Sequence, residues 1–371
     1  MKLKELILRE IKGIWGGELV DGEIGTPVIK TNNMTYGGYL DISDLTYRKI
    51  PLAKLNACLL SNGDMLVEKS GGTKTHSVGY VNLFNLESDK YVANNFILVL
   101  RPSKAMVEPR YLFYQLRYKY ESGQIEHLHN QTTGIQNLKV QMYLDQEINY
   151  CSLADQEKIS HTLENIEKII EKESQELSLL DALIKSRFNE MFSALPKVEL
   201  SQISQIIMGQ SPESTAYNDD GIGLPFFQGK ADYGEKYTVI NHYTKKWNKE
   251  AKKGYVLMSV RAPVGPVNIA STDCAIGRGL CAMNAKPGKA NNEFLFNALN
   301  SMQQEIVLSG KDGSTFAAIN KDQVYKLLLP QAPIELQNEF SDFVHHIDKL
   351  KFSRLVGNCT IFNQKAGGIC A

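Results

Sequence analysis

Three stretches of the chain hold residue types that could do chemistry, and each fails on spacing. Gly310-Lys311-Asp312-Gly313-Ser314-Thr315 has the composition of a phosphate-cradling loop but not the Gly-x4-Gly-Lys-Ser/Thr order such a loop needs. Asp64 with Glu68-Lys69 has the composition of a metal-dependent nuclease site. Its Glu and Lys are adjacent, however, and adjacent strand side chains point to opposite faces, away from one shared metal. Gly71-Gly72 opens no helix-like stretch and so makes no dinucleotide fingerprint. No Asn-Pro-Pro-aromatic tetrapeptide, the mark of amino-methyltransferases, occurs, and the Ser, His and Asp residues are too dispersed to nominate a triad. None of the cysteines at 58, 151, 274, 281, 359 and 370 stands in Cys-x-x-Cys spacing. His127, His129 and the pair His345-His346 lack Cys or carboxylate neighbours at ligand spacing. The expectation is a non-catalytic chain with idle thiols, no resident metal and no cofactor.

What remains is a set of polar loops. In the first half they carry Lys30, Asn32 and Asn33; Lys69, Lys74 and His76; and Gln131, Thr132 and Thr133. In the second half they carry Gln210 and Ser211, Gln228 and Lys230, Arg261, and Ser314 and Thr315. Arg, Lys, Asn and Gln read base edges, while Ser, Thr, Lys and bare backbone amides hold phosphates, so these loops are candidate contacts to double-stranded DNA. Polar loops are common in any protein; their recurrence at matched places in both halves gives them weight.

The elements that would position them are legible. From Asp155 to Phe192 there is neither Gly nor Pro, and Leu163, Ile170, Leu177, Ile184 and Met191 recur every seven residues. Ile159, Ile166 and Leu180 form the second row, interrupted by Glu173 and Arg187. That is a heptad seam on a helix of about 57 Å that needs a partner helix. Ser152 begins it as a capping box, and Leu195-Pro196 follows its end. On either side the sequence repeats in order. Ile11-Lys12-Gly13 answers Ile207-Met208-Gly209, and Gly25–Lys30 answers Gly223–Gln228. Gly63–Val67 answers Gly254–Met258, Gly79–Asn82 answers Gly265–Asn268, and Tyr111-Leu112-Phe113 answers Phe294-Leu295-Phe296. Asp155–Ile159 answers Leu336–Phe340. Short β runs alternate with turns in each half, so the expected fold is α+β. Two similar domains of mixed and antiparallel β with short helices are each followed by a spacer helix.

Gly209-Gln210-Ser211-Pro212, Gly223-Leu224-Pro225-Phe226-Phe227-Gln228-Gly229, Val260-Arg261-Ala262-Pro263-Val264-Gly265, Ile276-Gly277-Arg278-Gly279 and the helix end Lys185–Phe192 together resemble specificity subunits of type I restriction-modification systems. The resemblance spans about residues 1–352 and is weaker in the first domain, where such proteins vary with target. It implies target-recognition domains at 1–152 and 196–333, a spacer helix at 153–195, and the start of a second at 334–352. It further implies that each domain reads half of a bipartite DNA site. The helices dock methyltransferase subunits that bind S-adenosylmethionine, and restriction subunits join with their ATP-driven motor. The subunit itself performs no chemistry. The alternatives are a coiled-coil scaffold whose domains bind protein or carbohydrate and, more remotely, a nuclease built on Asp64 and Glu68.

One departure stands out. In the second helix Phe340, Val344 and Ile347 continue the seam, but Lys351, Arg354, Asn358 and Lys365 break it and only Ile361 recovers it. Gly357, Gly367 and Gly368 weaken helix further. The expectation is a shortened second helix, an unrelated tail at 353–371 from a frameshift or recombination, and Leu177, Ile184 and Met191 left exposed. Lys and Arg total 41 and Asp and Glu 41, a neutrality that hides unevenness. Segment 155–192 alone carries nine acidic and five basic residues, so the remainder keeps an excess of four positive charges. That modest excess suits a DNA reader whose partners supply much of the phosphate neutralisation. No apolar run reaches the length of a membrane span, and a cytoplasmic protein is expected.

Overall fold

The computed structural model describes residues 1–72, 77–132, 135–309 and 318–366, with backbone alone for 131–132, 309 and 355–366. The chain divides into two compact units, Met1–Glu171 and Lys172–Ala371, so the boundary falls inside the first spacer helix.

The strands of the first unit are β1 (Ile7–Lys12), β2 (Thr26–Ile29), β3 (Thr46–Arg48), β4 (Met65–Glu68), β5 (Ser70–Gly71), β6 (Val81–Leu83), β7 (Val92–Ala93), β8 (Ile97–Pro102), β9 (His129–Thr132) and β10 (Ile135–Leu138). They form an antiparallel sheet β1-β8-β4-β6, a sheet β3-β2-β7 whose β2–β7 pair is parallel, and a small sheet β5-β10-β9. β4 and β8 read as near-continuous apolar runs because both their faces are covered. Met65, Val67, Leu98 and Leu100 point into one core; Leu66, Ile97 and Val99, offset by the strand period of two, point into another.

The second unit repeats this plan with β11 (Lys197–Glu199), β12 (Ser204–Met208), β13 (Tyr217–Asn218), β14 (Leu224–Phe227), β15 (Tyr243–Thr244), β16 (Glu250–Ala251), β17 (Val256–Ser259), β18 (Val267–Ile269), β19 (Cys274–Ile276), β20 (Leu280–Ala285) and β21 (Leu328–Pro330). The sheet β12-β20-β17-β18 matches β1-β8-β4-β6, and β13-β15-β14-β19-β16 contains the counterpart of β3-β2-β7, again with one parallel pair, β14–β19. β11 and β21 pair by themselves. The two-faced core recurs too: Val256, Met258, Cys281 and Met283 lie on one side, Leu257, Leu280 and Ala282 on the other. Burial pushes the thiols of Cys274 and Cys281 up to about 12, so both are packing groups.

The first spacer helix runs Leu153–Phe192, and the Asp155 amide donates to Ser152 Oγ at 3.2 Å as the capping box requires. Its seam is covered differently from the expectation. In the first unit the face that meets the domain carries Gln156 and Ser160, both buried, and then the half-buried Leu163, Glu164 and Glu167. Ile166 is half-buried, whereas Ile159 and Ile170 are rotated off this face and exposed. In the second unit Leu177, Leu180, Ile184 and Met191 are half-buried rather than exposed, and the apolar residues left in solvent are Leu179 and Leu183. The helix end is anchored by Phe188 and Phe192, which cluster with Phe294 and Phe340 at ring separations of 4.8–5.8 Å.

The second spacer helix is described over Ile334–Ala366. Phe340, Val344 and Ile347 are buried as expected. The helix nevertheless passes Phe352, where the sequence reading ends it. Gly357 costs a helix interior about 1 kcal/mol, too little to stop it. The seam cations are also accommodated: Lys351 pairs with Asp181 and Arg354 with Glu176 of the first helix. Phe192→Ala should destabilise the second unit by about 3–5 kcal/mol, read as a lowered midpoint for that unit in chemical denaturation.

Candidate nucleic-acid interface

In the second unit three strand ends meet one turn, Gly277-Arg278-Gly279, between β19 and β20. Past β12, the Gly209 amide donates to the Leu280 carbonyl at 2.9 Å and the Gln210 amide to that of Ile276 at 3.0 Å. Gly209 is obligatory here, since a Cβ would stand 2.1 Å from the Gly277 carbonyl oxygen. Ser211 Oγ accepts from the Arg278 amide at 3.2 Å. Past β14, the Phe227 carbonyl accepts from Gly277 at 2.8 Å. The buried Asp232 Oδ2 accepts from the Gln228 amide at 2.6 Å, which fixes the turn so that Gln228 and Lys230 stay exposed. Past β17, the Val260 amide donates to Gly279 at 2.9 Å, and the exposed Arg261 bridges to Ala318. Gln210, Ser211, Gln228 and Arg261 therefore belong to one hydrogen-bonded assembly, with Lys230 beside it. Arg278, which residue type and matched loops did not single out as a contact, sits at its centre; it is exposed, and its guanidinium has no ion pair among the described residues.

The first unit builds the same assembly from other side chains. The Ile14 amide donates to Ala93 at 2.7 Å, Asn94 to Ile29 at 2.9 Å, and Lys69 to Phe96 at 2.8 Å. Gly13 takes the place of Gly209, with a Cβ position only 1.8 Å from the Asn94 carbonyl oxygen. Lys30 thus stands where Gln228 does, Ser70 where Arg261 does, and Asn95 where Arg278 does. Asn95 and the half-exposed Phe96 were not legible as site residues; an Asn-Asn-aromatic turn between two strands was their only signal. Asn32 is exposed and Lys69 half-buried. Asn33 points inward instead of toward a ligand. Its side chain is buried, accepts from the Lys30 amide at 2.9 Å, and donates to the carbonyls of Asp41 and Asp44 at 2.9 and 3.0 Å. It is the counterpart of Asp232, a turn former whose two N–H donors are both used inside the fold. Gln131 and Thr132 lie on β9, paired to β10. Lys74, His76, Thr133, Ser314 and Thr315 lie outside the described residues.

Asp64 forms no metal site. It is 1% exposed, and its two carboxylate oxygens accept from Arg101 at 2.8 Å each. Among the described residues no group of three His, Cys, Asp or Glu could hold a metal ion.

Each domain is joined to its spacer helix by a polar lock, again built twice. Gln156 Oε1 accepts from the Glu108 amide at 2.9 Å, and Ser160 Oγ donates at 2.6 Å to the Glu108 carboxylate that caps the helix Pro109–Glu121. At the same offsets, Gln337 Oε1 accepts from the Asn291 amide at 3.1 Å, and Ser341 Oγ donates at 3.2 Å to the Asn291 side chain that caps Asn292–Ser301. Two turns further along, Glu167 accepts from Tyr114 at 2.7 Å, Tyr39 at 3.1 Å and Arg117 at 2.9 Å. Burial, and then the Glu167 charge, push the Tyr39 phenol up to about 12. The residue at the matching place is Asp348, which accepts from Lys236 at 2.6 Å; Lys236 also pairs with Glu293 at 3.0 Å. Burial opposes the Lys236 charge, but Glu293 and Asp348 outweigh it and its pKa is raised. A cleft of about 1280 Å³ lies beside this latch, lined in part by Ile184, Phe188 and Phe296, and the strand-end residues take no part in its lining.

The family described as type I restriction modification DNA specificity domain matches residues 18–180 and 195–354. A putative type I restriction enzyme MjaX specificity subunit of Methanocaldococcus jannaschii is 28% identical over 353 residues, covering 88% of this chain and 81% of that protein. Among solved structures, the type I restriction-modification S subunit of M. genitalium superposes with a TM-score of 0.60 at 17% identity, covering 98% of this chain and 92% of its own. A chain from a structure concerned with assembly and conformational transition of the type I R-M system superposes with a TM-score of 0.58 at 22% identity, covering 97% and 93%. Both share the fold. No described helix is long and apolar enough to cross a membrane. Replacing Gln337 by Leu should strand the Asn291 amide and destabilise the second unit by about 1–3 kcal/mol, and Gln156→Leu should do the same to the first, each measured by urea denaturation.

Proposed function

Because the chain belongs to the type I restriction modification DNA specificity family, we propose that it is the DNA-reading subunit of a restriction-modification complex working in the cytoplasm. In this reading residues 1–152 and 196–333 each recognise one half of a bipartite duplex target. The segments 153–195 and 334–352 are the spacer that methyltransferase subunits, carrying S-adenosylmethionine, and restriction subunits dock onto. The subunit reads and positions; its partners do the chemistry. One observation carries this reading: a single backbone assembly occurs twice with different side chains. Lys30, Ser70 and Asn95 in one unit stand where Gln228, Arg261 and Arg278 stand in the other. A kept scaffold with changed side chains is what two half-sites of unlike sequence require, because base edges are told apart by donor and acceptor pattern.

Docking is supported by Leu179 and Leu183, one turn apart on the first spacer helix and 67% and 46% exposed. Large apolar side chains on an otherwise charged helix lose water when a partner covers them. Methylome sequencing of a host expressing this chain with its methyltransferase partner should return two half-sites at a fixed separation; methylation at a single continuous site would overturn the reading. Arg278→Ala should weaken target binding about 10- to 100-fold, the worth of one good base or phosphate contact. Leu179→Glu with Leu183→Glu should abolish co-purification of the methyltransferase while leaving the thermal midpoint of the chain unchanged.

A further inference from the structure

The loop between β15 and β16 belongs to the second unit alone. It reads Lys245-Lys246-Trp247-Asn248-Lys249, and Lys252 and Lys253 follow β16. After β3, the matching place in the first unit, the chain carries Lys49, which is paired with Glu23, and then enters a helix, Leu52–Cys58, whose one cation is Lys54. The lysines of the loop are not balanced locally. Lys252 is held by Glu250 and by Asp273 at 3.0 Å. Glu250, the one carboxylate in the segment, is taken by Lys252 and by the Trp247 indole N–H at 3.3 Å. The side chains of Lys245, Lys246 and Lys249 are exposed, and none makes an ion pair among the described residues.

The loop is also fixed in place. The Lys245 amide donates to the Ala216 carbonyl at 3.0 Å, a few residues beyond Gln210 and Ser211. The Lys249 carbonyl accepts from the Ile276 amide at 3.1 Å, one residue before the Gly277–Gly279 turn. Between them the buried Thr244 hydroxyl donates to the Lys246 carbonyl at 2.6 Å. Both ends of a cationic loop are thus pinned to the two segments that carry the strand-end assembly. In a chain of zero formal charge, this is a local concentration of unpaired positive charge at the edge of the proposed reading surface.

We propose that Lys245, Lys246 and Lys249 form a phosphate-contact site for duplex DNA flanking the half-site read by the second unit. This rests on the reading of the chain as a DNA-recognition subunit. The loop holds backbone and reads no base, so it strengthens binding to any duplex and has no counterpart in the first unit. Ammonium groups that meet phosphates displace condensed counterions, and each such contact steepens the salt dependence of binding by about 0.9.

The test uses the complex purified with its methyltransferase partner and two fluorescent duplexes of equal length, one carrying the target and one of random sequence, titrated over a series of KCl concentrations. The variant K245Q/K246Q/K249Q should bind both duplexes more weakly by the same factor, and its slope of log affinity against log salt should be shallower by about 2–3. K245R/K246R/K249R should keep the parent slope. An unchanged slope overturns the proposal, as does a loss confined to the target duplex, which would make the loop a base reader. Loss of the methyltransferase during purification of the glutamine variant also overturns it, by making the loop a protein contact. If the parent complex binds neither duplex, the DNA-reading function itself fails, a result distinct from all of these.

Discussion

A buried glutamine on each spacer helix is the contact on which the rest of the molecule depends. Gln156 and Gln337 are essentially inaccessible to solvent, and each satisfies the backbone amide of the residue that caps the domain helix it meets. A buried amide left without its partner costs about 1–3 kcal/mol, so the spacer cannot slide or rotate on the domain without leaving such a group bare. Hydrophobic packing alone would tolerate small displacements. The directional lock, with its second attachment at Glu167 or Asp348, turns a helix lying on a domain into a helix that positions it.

Beyond the lock, the strand-end assembly shows how one backbone scaffold carries two different sets of side chains. Its rigidity is in the backbone, where carbonyls and amides of three strand ends bond to one turn and glycine allows approaches that a Cβ would forbid. Apart from Ser211, whose hydroxyl accepts from the Arg278 amide, the bonds that hold the scaffold are between backbone groups. Asn33 and Asp232 point inward, and each closes a turn beside it. Charge is divided too: the spacer is acidic, the second domain carries a loop with three exposed lysines, and total neutrality describes neither.

The repeat, the α+β class, the long helix and the family were all legible before any coordinates, because periodicity and ordered matches survive in a one-dimensional string. The seam was partly legible. Phe340, Val344 and Ile347 are buried as their spacing implies, but Ile159 and Ile170 are not, because the domain takes the neighbouring stripe of Gln156, Ser160 and Glu167 instead. Polar residues on a helix read as solvent-facing, and here several of them face protein. The end placed at Phe352 failed for a related reason: Lys351 and Arg354 break an apolar pattern without breaking a helix, and acids across the seam accept them.

The candidate site divides in the same way. Gln210, Ser211, Gln228, Lys230 and Arg261 could be named from residue type and matched loops, whereas Asn95, Phe96 and Arg278 could not, since their role comes from a turn that distant strand ends converge on. The charge run at Lys245–Lys249 was visible in the string, but its attachment to Ala216 and Ile276 was not. By itself the sequence determined composition, period and order, which are local properties, and with them the doubled α+β plan and the class of ligand. Which polar residues face outward and which close a turn or lock a helix was decided only by tertiary structure, because hydrogen-bond partners far apart in the chain settle where each donor and acceptor is used.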